Sequence, residues 1–333
     1  MPPDPSPGHV ANPGRIPGRI LVTGADGFVG RHLMPILATA FPGATLDAAA
    51  FDVTDVAAVD AAIAAAPPDA LVHLAAIAAI ADARRDPDRA WRVNLGGTLN
   101  LARAVLAHAP GCTMVFSSSA DIYGASFRSG RPLAEDALPT PLNAYAATKA
   151  AADLALGAMA AADGLRAVRV RAFNHTGPGQ SEDFVVPAFA RQAARIAAGL
   201  QPPVLQVGDL SPLRDFLDVR DVCAAYAACI KADLPPGTVL NVAGGHPRRV
   251  GDVLQDLLDA AGVQATPQTD AARLRPSDIP FAVGDAGLAR QLLGWAPVIP
   301  WAQTLADVLA DWRTRVQDGA LHPCPPLPCP PLP

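Results

Sequence analysis

Arg19-Ile20-Leu21-Val22-Thr23-Gly24-Ala25-Asp26-Gly27-Phe28-Val29-Gly30 is the stretch on which the fold turns. Its apolar start reads as a buried strand over 20–22, which ends at Thr23-Gly24, and residues 31–40 read as a helix. Strand, glycine turn and helix together form the context that gives such a motif meaning. Gly24 permits a tight turn, Gly27 lets the backbone approach a pyrophosphate, and Gly30 lets helix and strand pack closely. An anion then sits on free N–H groups at the helix N-terminus, where the dipole favours negative charge. Without its flanks, the same stretch would read as an ordinary glycine-rich turn.

Outward from there, Tyr145 and Lys149 come next. Four residues apart on a helix, they share a face and meet over one ligand. A free tyrosine, with a pKa of about 10, is a poor acid or base at neutral pH. A neighbouring ammonium favours the phenolate and is expected to bring that pKa toward the working range. The run Ser117-Ser118-Ser119 upstream supplies a hydroxyl for a substrate oxygen. Alone, the pair also describes a half-buried tyrosine and a solvated lysine. With the glycine turn and the serine run it describes hydride transfer between a nicotinamide and a carbon bearing oxygen.

Further apolar runs at 44–46, 70–74, 113–117 and 167–171 alternate with amphipathic helical stretches. That alternation predicts an α/β fold, a Rossmann-type doubly wound parallel sheet. After 173 the texture changes to loops and Pro-rich turns, and 215–243 reads as a return to the sheet. The expected organisation is a dinucleotide-binding domain of 19–173 plus 214–243, with a smaller, discontinuous C-terminal substrate lobe of 174–213 plus 244–313. The Pro- and Gly-rich leader 1–18 and the proline run 321–333 are expected to be disordered. The net charge is −5 with no basic cluster, which argues against a nucleic-acid partner. The longest apolar stretch, 70–81, is broken by His73 and is too short to span a bilayer. The N-terminus carries no apolar signal segment, so cytoplasmic residence is the expectation. The 5 cysteines lack metal-ligand spacing, so neither a metal nor a disulfide framework is expected.

The Gly-x-x-Gly-x-x-Gly spacing and the Tyr145/Lys149 pair resemble the short-chain dehydrogenase/reductase superfamily, in its extended, sugar-nucleotide-modifying branch, over 19–313. Asp52-Val53-Thr54-Asp55 is similar to the acidic turn that borders the adenine there. Leu71-Val72-His73-Leu74-Ala75-Ala76 is similar to the family's fourth strand, Val93-Asn94 to its helix asparagine, and Ser117 to Gly124 to its catalytic serine segment. The resemblance implies Ser119 as the catalytic hydroxyl beside Tyr145 and Lys149, Ser118 as a cofactor-facing neighbour, and Ser117 as support for the strand end. It implies cofactor contacts at Gly24, Asp26, Gly27, Phe28, Val29, Gly30, Asp47, Asp52, Val53, Leu74, Ala75, Ala76, Asn94, Ser117, Ser118 and Phe173. Lys149 would reach the nicotinamide ribose. It also implies a homodimer through the helix carrying Tyr145, which alanine-rich 146–162 would permit. A carboxylate ending the second strand binds the ribose hydroxyls and rejects a 2′-phosphate. Asp47 at that place points to NAD(H), while Arg31 and Arg84-Arg85 leave NADP(H) open.

The second half bears on the substrate. Residues 171–180, 183–187 and 213–221, with Arg275-Pro276-Ser277-Asp278 and Leu293-Gly294-Trp295-Ala296-Pro297, resemble the branch acting on GDP-linked 6-deoxyhexoses. That branch implies a nucleotide-diphosphate sugar as partner, held by Asn174, Val185, Arg214 and Arg275. The planar fork of arginine suits phosphate oxygens. Arg214 has a second reading, as a surface partner of Asp215 or Asp218. Arg191 is a substrate contact or a solvated charge, and His175 a loop-packing residue. Both 4-keto reductases and 4,6-dehydratases occur in the branch. A dehydratase also needs a glutamate two residues after the serine; here that position is Asp121, one methylene shorter. The loop after Phe184 lacks the expected basic residues as well. Both departures favour reduction, with Asp121 contacting the sugar; a C4 epimerase uses the same triad. A dinucleotide sensor would lack Tyr145 or Lys149, and a scaffold acting through the proline tail would fail on deletion of 321–333.

Overall fold

The computed structural model describes residues 16–273 and 279–319. The first half alternates β1 (Arg19–Thr23), α1 (Phe28–Ala40), β2 (Thr45–Ala48), α2 (Val56–Ala65) and β3 (Ala70–His73). It continues with α3 (Ile80–Arg85), α4 (Pro87–Ala90), a π-helical turn Trp91–Gly97, α5 (Thr98–His108) and β4 (Thr113–Ser117). A 3-10 segment Ala120–Ser129 then leads to α6 (Ala144–Asp163) and β5 (Ala167–Ala172). The second half runs β6 (Asn174–Thr176), α7 (Val185–Ala197), β7 (Val204–Val207), β8 (Leu213–Asp218), α8 (Val219–Lys231) and β9 (Val239–Val242). It closes with β10 (Pro247–Arg249), α9 (Val250–Ala261), β11 (Thr266–Thr269), β12 (Phe281–Ala282), α10 (Gly287–Leu293) and α11 (Trp301–Gln317).

The central sheet has six strands in the order β2-β1-β3-β4-β5-β9, every pair parallel. Its inner strands are apolar on both faces because helices cover both sides. Leu33, Ile36 and Leu37 of α1 meet Val222, Cys223 and Tyr226 of α8 on one face. Val59 and Ile63 of α2 meet Leu101 and Val105 of α5 on the other. The chain leaves β1 for β2 on one side and returns to β3 on the other, so a crevice opens at their carboxyl ends. The side chains of Asp55, Asn143 and Asp218 cap α2, α6 and α8, each accepting an orphan amide of a first turn.

A second core gathers α7, α9 and α11, with Phe189, Leu205, Leu254, Val308 and Trp312 in contact. β8 does not enter the central sheet: it pairs with β6, β10 and β12. The expected return over 215–243 is therefore made by α8 and β9. The second strand runs past 46, which puts Asp47 inside it, opposite Leu21. Residues 1–15 of the expected leader, the tail 321–333 and Arg275 lie outside the described residues. Among the described residues, no helix is long and apolar enough to cross a membrane.

Candidate active site

The glycine turn sits at the crevice. Gly24 has φ +72°, and a Cβ there would lie 2.8 Å from the Ala75 nitrogen at the end of β3. A Cβ on Gly30 would run into the carbonyl oxygens of Gly24 and Ala25. Gly27 caps α1 without a side chain, so its first amides face the crevice uncovered by a capping group. Thr23 is held from behind by His73, Oγ1 to Nδ1 at 2.7 Å, and His73 Nε2 meets Thr98 Oγ1 at 2.9 Å. Burial pushes the His73 pKa down to about 3, so the ring is a neutral strut. A cradle too narrow for any Cβ, ending on a helix N-terminus, fits a dinucleotide pyrophosphate.

Around it the expected contacts divide. Phe28 stacks on His175 with centroids 6.3 Å apart. Val29, Leu74, Ala75 and Ala76 are half-buried at the crevice, and Asp26 is exposed, with its carbonyl accepting from Arg31 Nη1 at 2.8 Å. Arg31 Nη2 is taken by the Gly179 carbonyl at 3.2 Å. Asp52 is exposed and ties its own turn through Thr54, whose amide and hydroxyl hold the carboxyl below its ordinary range. Val53 packs under Gly97. Asp47 is drawn into an ion pair with Arg19 at 2.7 Å, toward the amino end of β1 and away from the glycine turn. Phe173 is core: its ring is buried against Tyr123 and Phe127.

The residues expected to be catalytic come together at the end of β4. Lys149 donates from Nζ to the Ser117 carbonyl at 2.7 Å, with the Phe116 ring beneath. Burial lowers its pKa to about 8, and Asp153 opposes that shift. Tyr145, in the first turn of α6, has the Ser119 hydroxyl as a neighbour. The expectation that Lys149 depresses the phenol is not met. Burial foremost, and then the Asp121 carboxylate, hold Tyr145 above its ordinary value, with the Ser119 hydroxyl opposing. Burial likewise raises Asp121, and the facing Arg214 opposes it. Tyr145, Asp121 and Arg214 are thus near enough to act on one another's charge, with Ser119 beside the phenol. Asp215 and Asp218 do not neutralise Arg214. Asp215 takes the amides of Gly244, Gly245 and Gly284, and Asp218 pairs with Arg220.

Ser118 departs from the expectation. Its hydroxyl points into the protein and donates to Asp153 Oδ2 at 2.7 Å, because consecutive residues leaving a strand face opposite ways. Ser117 ends β4 and accepts the Tyr226 hydroxyl at 2.9 Å. Asn94 is buried and acts as a brace: Oδ1 accepts the Ile77 amide, and Nδ2 donates to Thr148 beside Lys149. The polar layer formed by Asp153, Arg169, Arg171, Tyr123 and Asn241 is absent from the expectations above. The signal at hand was an acid four residues beyond Lys149, and the scarcity of tyrosine: all 3 in the chain lie in or against this site.

On the substrate side, Asn174 is exposed on β6 and Val185 begins α7. Arg191 pairs with Glu182 at 2.5 Å and lines a cavity of about 330 Å³ with Gln192, Gln206 and Arg273. Among the described residues, no group of three His, Cys, Asp or Glu is placed to hold a metal.

The NAD dependent epimerase/dehydratase family model matches residues 20–243. A GDP-6-deoxy-D-mannose reductase from Pseudomonas aeruginosa is 38% identical over 304 residues, 90% of this chain and 99% of the relative. The solved structure of Pseudomonas aeruginosa RMD complexed with NADPH superposes with a TM-score of 0.83 at 36% identity, covering 90% of this chain and 99% of that one. A Thermus thermophilus UDP-glucose 4-epimerase complex with NAD gives a TM-score of 0.77 at 28% identity, covering 89% and 99%. The chain belongs to the NAD dependent epimerase/dehydratase family.

Proposed function

We propose that this protein reduces the C4 keto group of a GDP-linked 4-keto-6-deoxyhexose, using NADH or NADPH. The observation that carries the reading is the meeting of Ser119, at the end of β4, with Tyr145 on α6, one turn from a Lys149 held on the Ser117 carbonyl. A reduction starts from the acid form of that phenol. The similarity to a GDP-6-deoxy-D-mannose reductase supports the choice of substrate. When bound, the reduced dinucleotide supplies the hydride. Ser119 orients the carbonyl oxygen, and Tyr145 gives its proton to that oxygen as charge develops on it. Lys149, fixed on the Ser117 carbonyl, keeps a positive charge under the ribose side of the crevice. Arg214 places a guanidinium beside Asp121, where a sugar hydroxyl or phosphate would be held.

Residues around the six-stranded sheet would hold the dinucleotide, and those of the second core the nucleotide sugar. The Arg19–Asp47 pair occupies the carboxylate expected to reject a 2′-phosphate, which supports NADPH beside NADH. The test is loss of reduced-cofactor absorbance on GDP-4-keto-6-deoxymannose, run with each cofactor in turn. Stoichiometric oxidation is expected. No oxidation, together with conversion of GDP-mannose to a keto sugar, would make the enzyme a dehydratase and reject the reading.

We further propose cytoplasmic residence and a homodimer through α6. Ala147, Ala151, Leu154, Ala155 and Ala158 form one outward row on that helix, with Leu154 56% exposed and Trp91 on the adjoining turn 39% exposed. Leu154→Arg places a charge in that row and is expected to give a monomer by light scattering while the dinucleotide still binds. A wild type that runs as a monomer at micromolar concentration would discard the dimer.

A further inference from the structure

The catalytic reading leaves a buried charge cluster unused. Asp153 lies on α6 one turn beyond Lys149 and is fully enclosed. Its Oδ2 accepts from Ser118 Oγ at 2.7 Å and Arg171 Nε at 3.2 Å. Its Oδ1 accepts from Arg171 Nη2 at 3.0 Å and Arg169 Nη1 at 3.1 Å. Arg171 Nη1 continues to the Tyr123 hydroxyl at 3.0 Å, which donates to Asn241 Oδ1 at 2.7 Å. Stability alone is a weak reason for such a cluster, since well-packed apolar residues often replace buried ion pairs without loss. Its geometry gives a stronger reason. One carboxylate joins three parts that the chemistry needs in register: the helix of Tyr145 and Lys149, strand β5, and the residue next to Ser119.

The charges around Lys149 point the same way. β4 offers the Ser117 carbonyl and the Phe116 ring, β3 the neutral His73, and α8 the Tyr226 hydroxyl seated on Ser117. On α6 itself stand Tyr145 and Asp153. β5 brings Arg169 and Arg171, both paired with Asp153; Asp153 is the negative group of this set, and it opposes the burial that would discharge the lysine.

We propose that Asp153 is a positioning residue for the reduction: it anchors Ser118 so that Ser119 meets Tyr145, and it keeps Lys149 a cation. The proposal rests on the function proposed above. Asp153 is wholly enclosed by protein, so it would act through other residues.

The test is kcat for reduction against pH, with melting temperature and dinucleotide affinity measured alongside. Ser118→Ala removes a single hydrogen bond and keeps every charge. A fall in kcat of about tenfold is expected, the scale of a sub-ångström misplacement, with the pH profile unmoved and Ser118→Thr restoring the rate. Asp153→Asn removes the charge, and the high-pH limb is expected to move to lower pH by about one unit; Asp153→Glu keeps it in place. A purely structural role would lower the melting temperature without moving the limb. If Asp153→Asn does not fold, Ser118→Ala still decides, because an unchanged kcat there overturns the proposal. A folded Asp153→Asn with the wild-type limb overturns it too. Tyr145→Phe, run in parallel, separates the two claims: if it matches wild type the functional reading has failed, and if it is inactive while Ser118→Ala and Asp153→Asn behave as wild type, only the positioning role has.

Discussion

Tyr145→Phe is expected to lower kcat for reduction by roughly 10²- to 10⁴-fold, the usual contribution of a positioned general acid. The substitution removes one oxygen and leaves the ring in place. The substrate KM, the dinucleotide affinity and the melting temperature should therefore stay near wild type. The sign of the pH dependence follows from the site. Burial and the Asp121 carboxylate raise the phenol above its ordinary value, so the proton it must donate is present across the neutral range. Reduction should lose rate only on the alkaline side. The reverse oxidation needs a base, and should gain rate as pH rises. Rapid-mix measurement of the hydride step in both directions checks this; a kcat within threefold of wild type would remove Tyr145 from the chemistry.

The largest stability effect is expected at Gly124. This residue has φ +43° and ψ −114°, at the kink of the 3-10 segment that follows the serines. A Cβ there would overlap the Thr140 carbonyl oxygen and reach 3.0 Å from Pro141 Cα. That carbonyl is already used, accepting the Ala125 amide at 2.9 Å, while the Thr140 amide donates to Ile122. Thr140 Oγ1 also donates to the Tyr123 carbonyl at 2.6 Å. Gly124→Ala therefore combines a left-handed backbone with a collision against backbone that cannot step aside. A cost of roughly 2–5 kcal/mol follows, or roughly 3–8 °C in melting temperature for a chain of this length. Gly130→Ala is the control: its φ is +67°, but nothing stands within 4 Å of the added methyl. It should cost only about 1 kcal/mol. Equal melting temperatures for the two variants would mean that Thr140 moves freely, contrary to its hydrogen bonds.

The parts of the site legible in the sequence are those whose geometry is local. The strand–glycine–helix unit and the i,i+4 pair on α6 are fixed by backbone periodicity within a dozen residues, and both stand where they were expected. The misreadings arise where long-range packing decides. The neighbours of Ser118 in sequence do not set its direction; Asp153 and Arg171, 35 and 53 residues further on, do. Asp47 was placed by the length of its strand, and the pairing of β2 with β1 brings it within reach of Arg19. Lys149 and Tyr145 share a face, yet the lysine turns to a carbonyl of β4 and burial governs the phenol. β8 carries the arginine expected from sequence, but its apolar pattern did not say which sheet it would join.

The pairing of β5 with β9 has a consequence for synthesis of the chain. Ala172 ends β5 and Val239 begins β9, so 66 residues lie between them. A ribosome working at about 5–20 residues per second needs roughly 3–13 s to add that length. Throughout that interval the open edge of β5 presents unpaired amides and carbonyls to any other extended chain. The nascent protein is thus most exposed to aggregation after its dinucleotide half is already made, and a pause in translation between 172 and 239 prolongs that window.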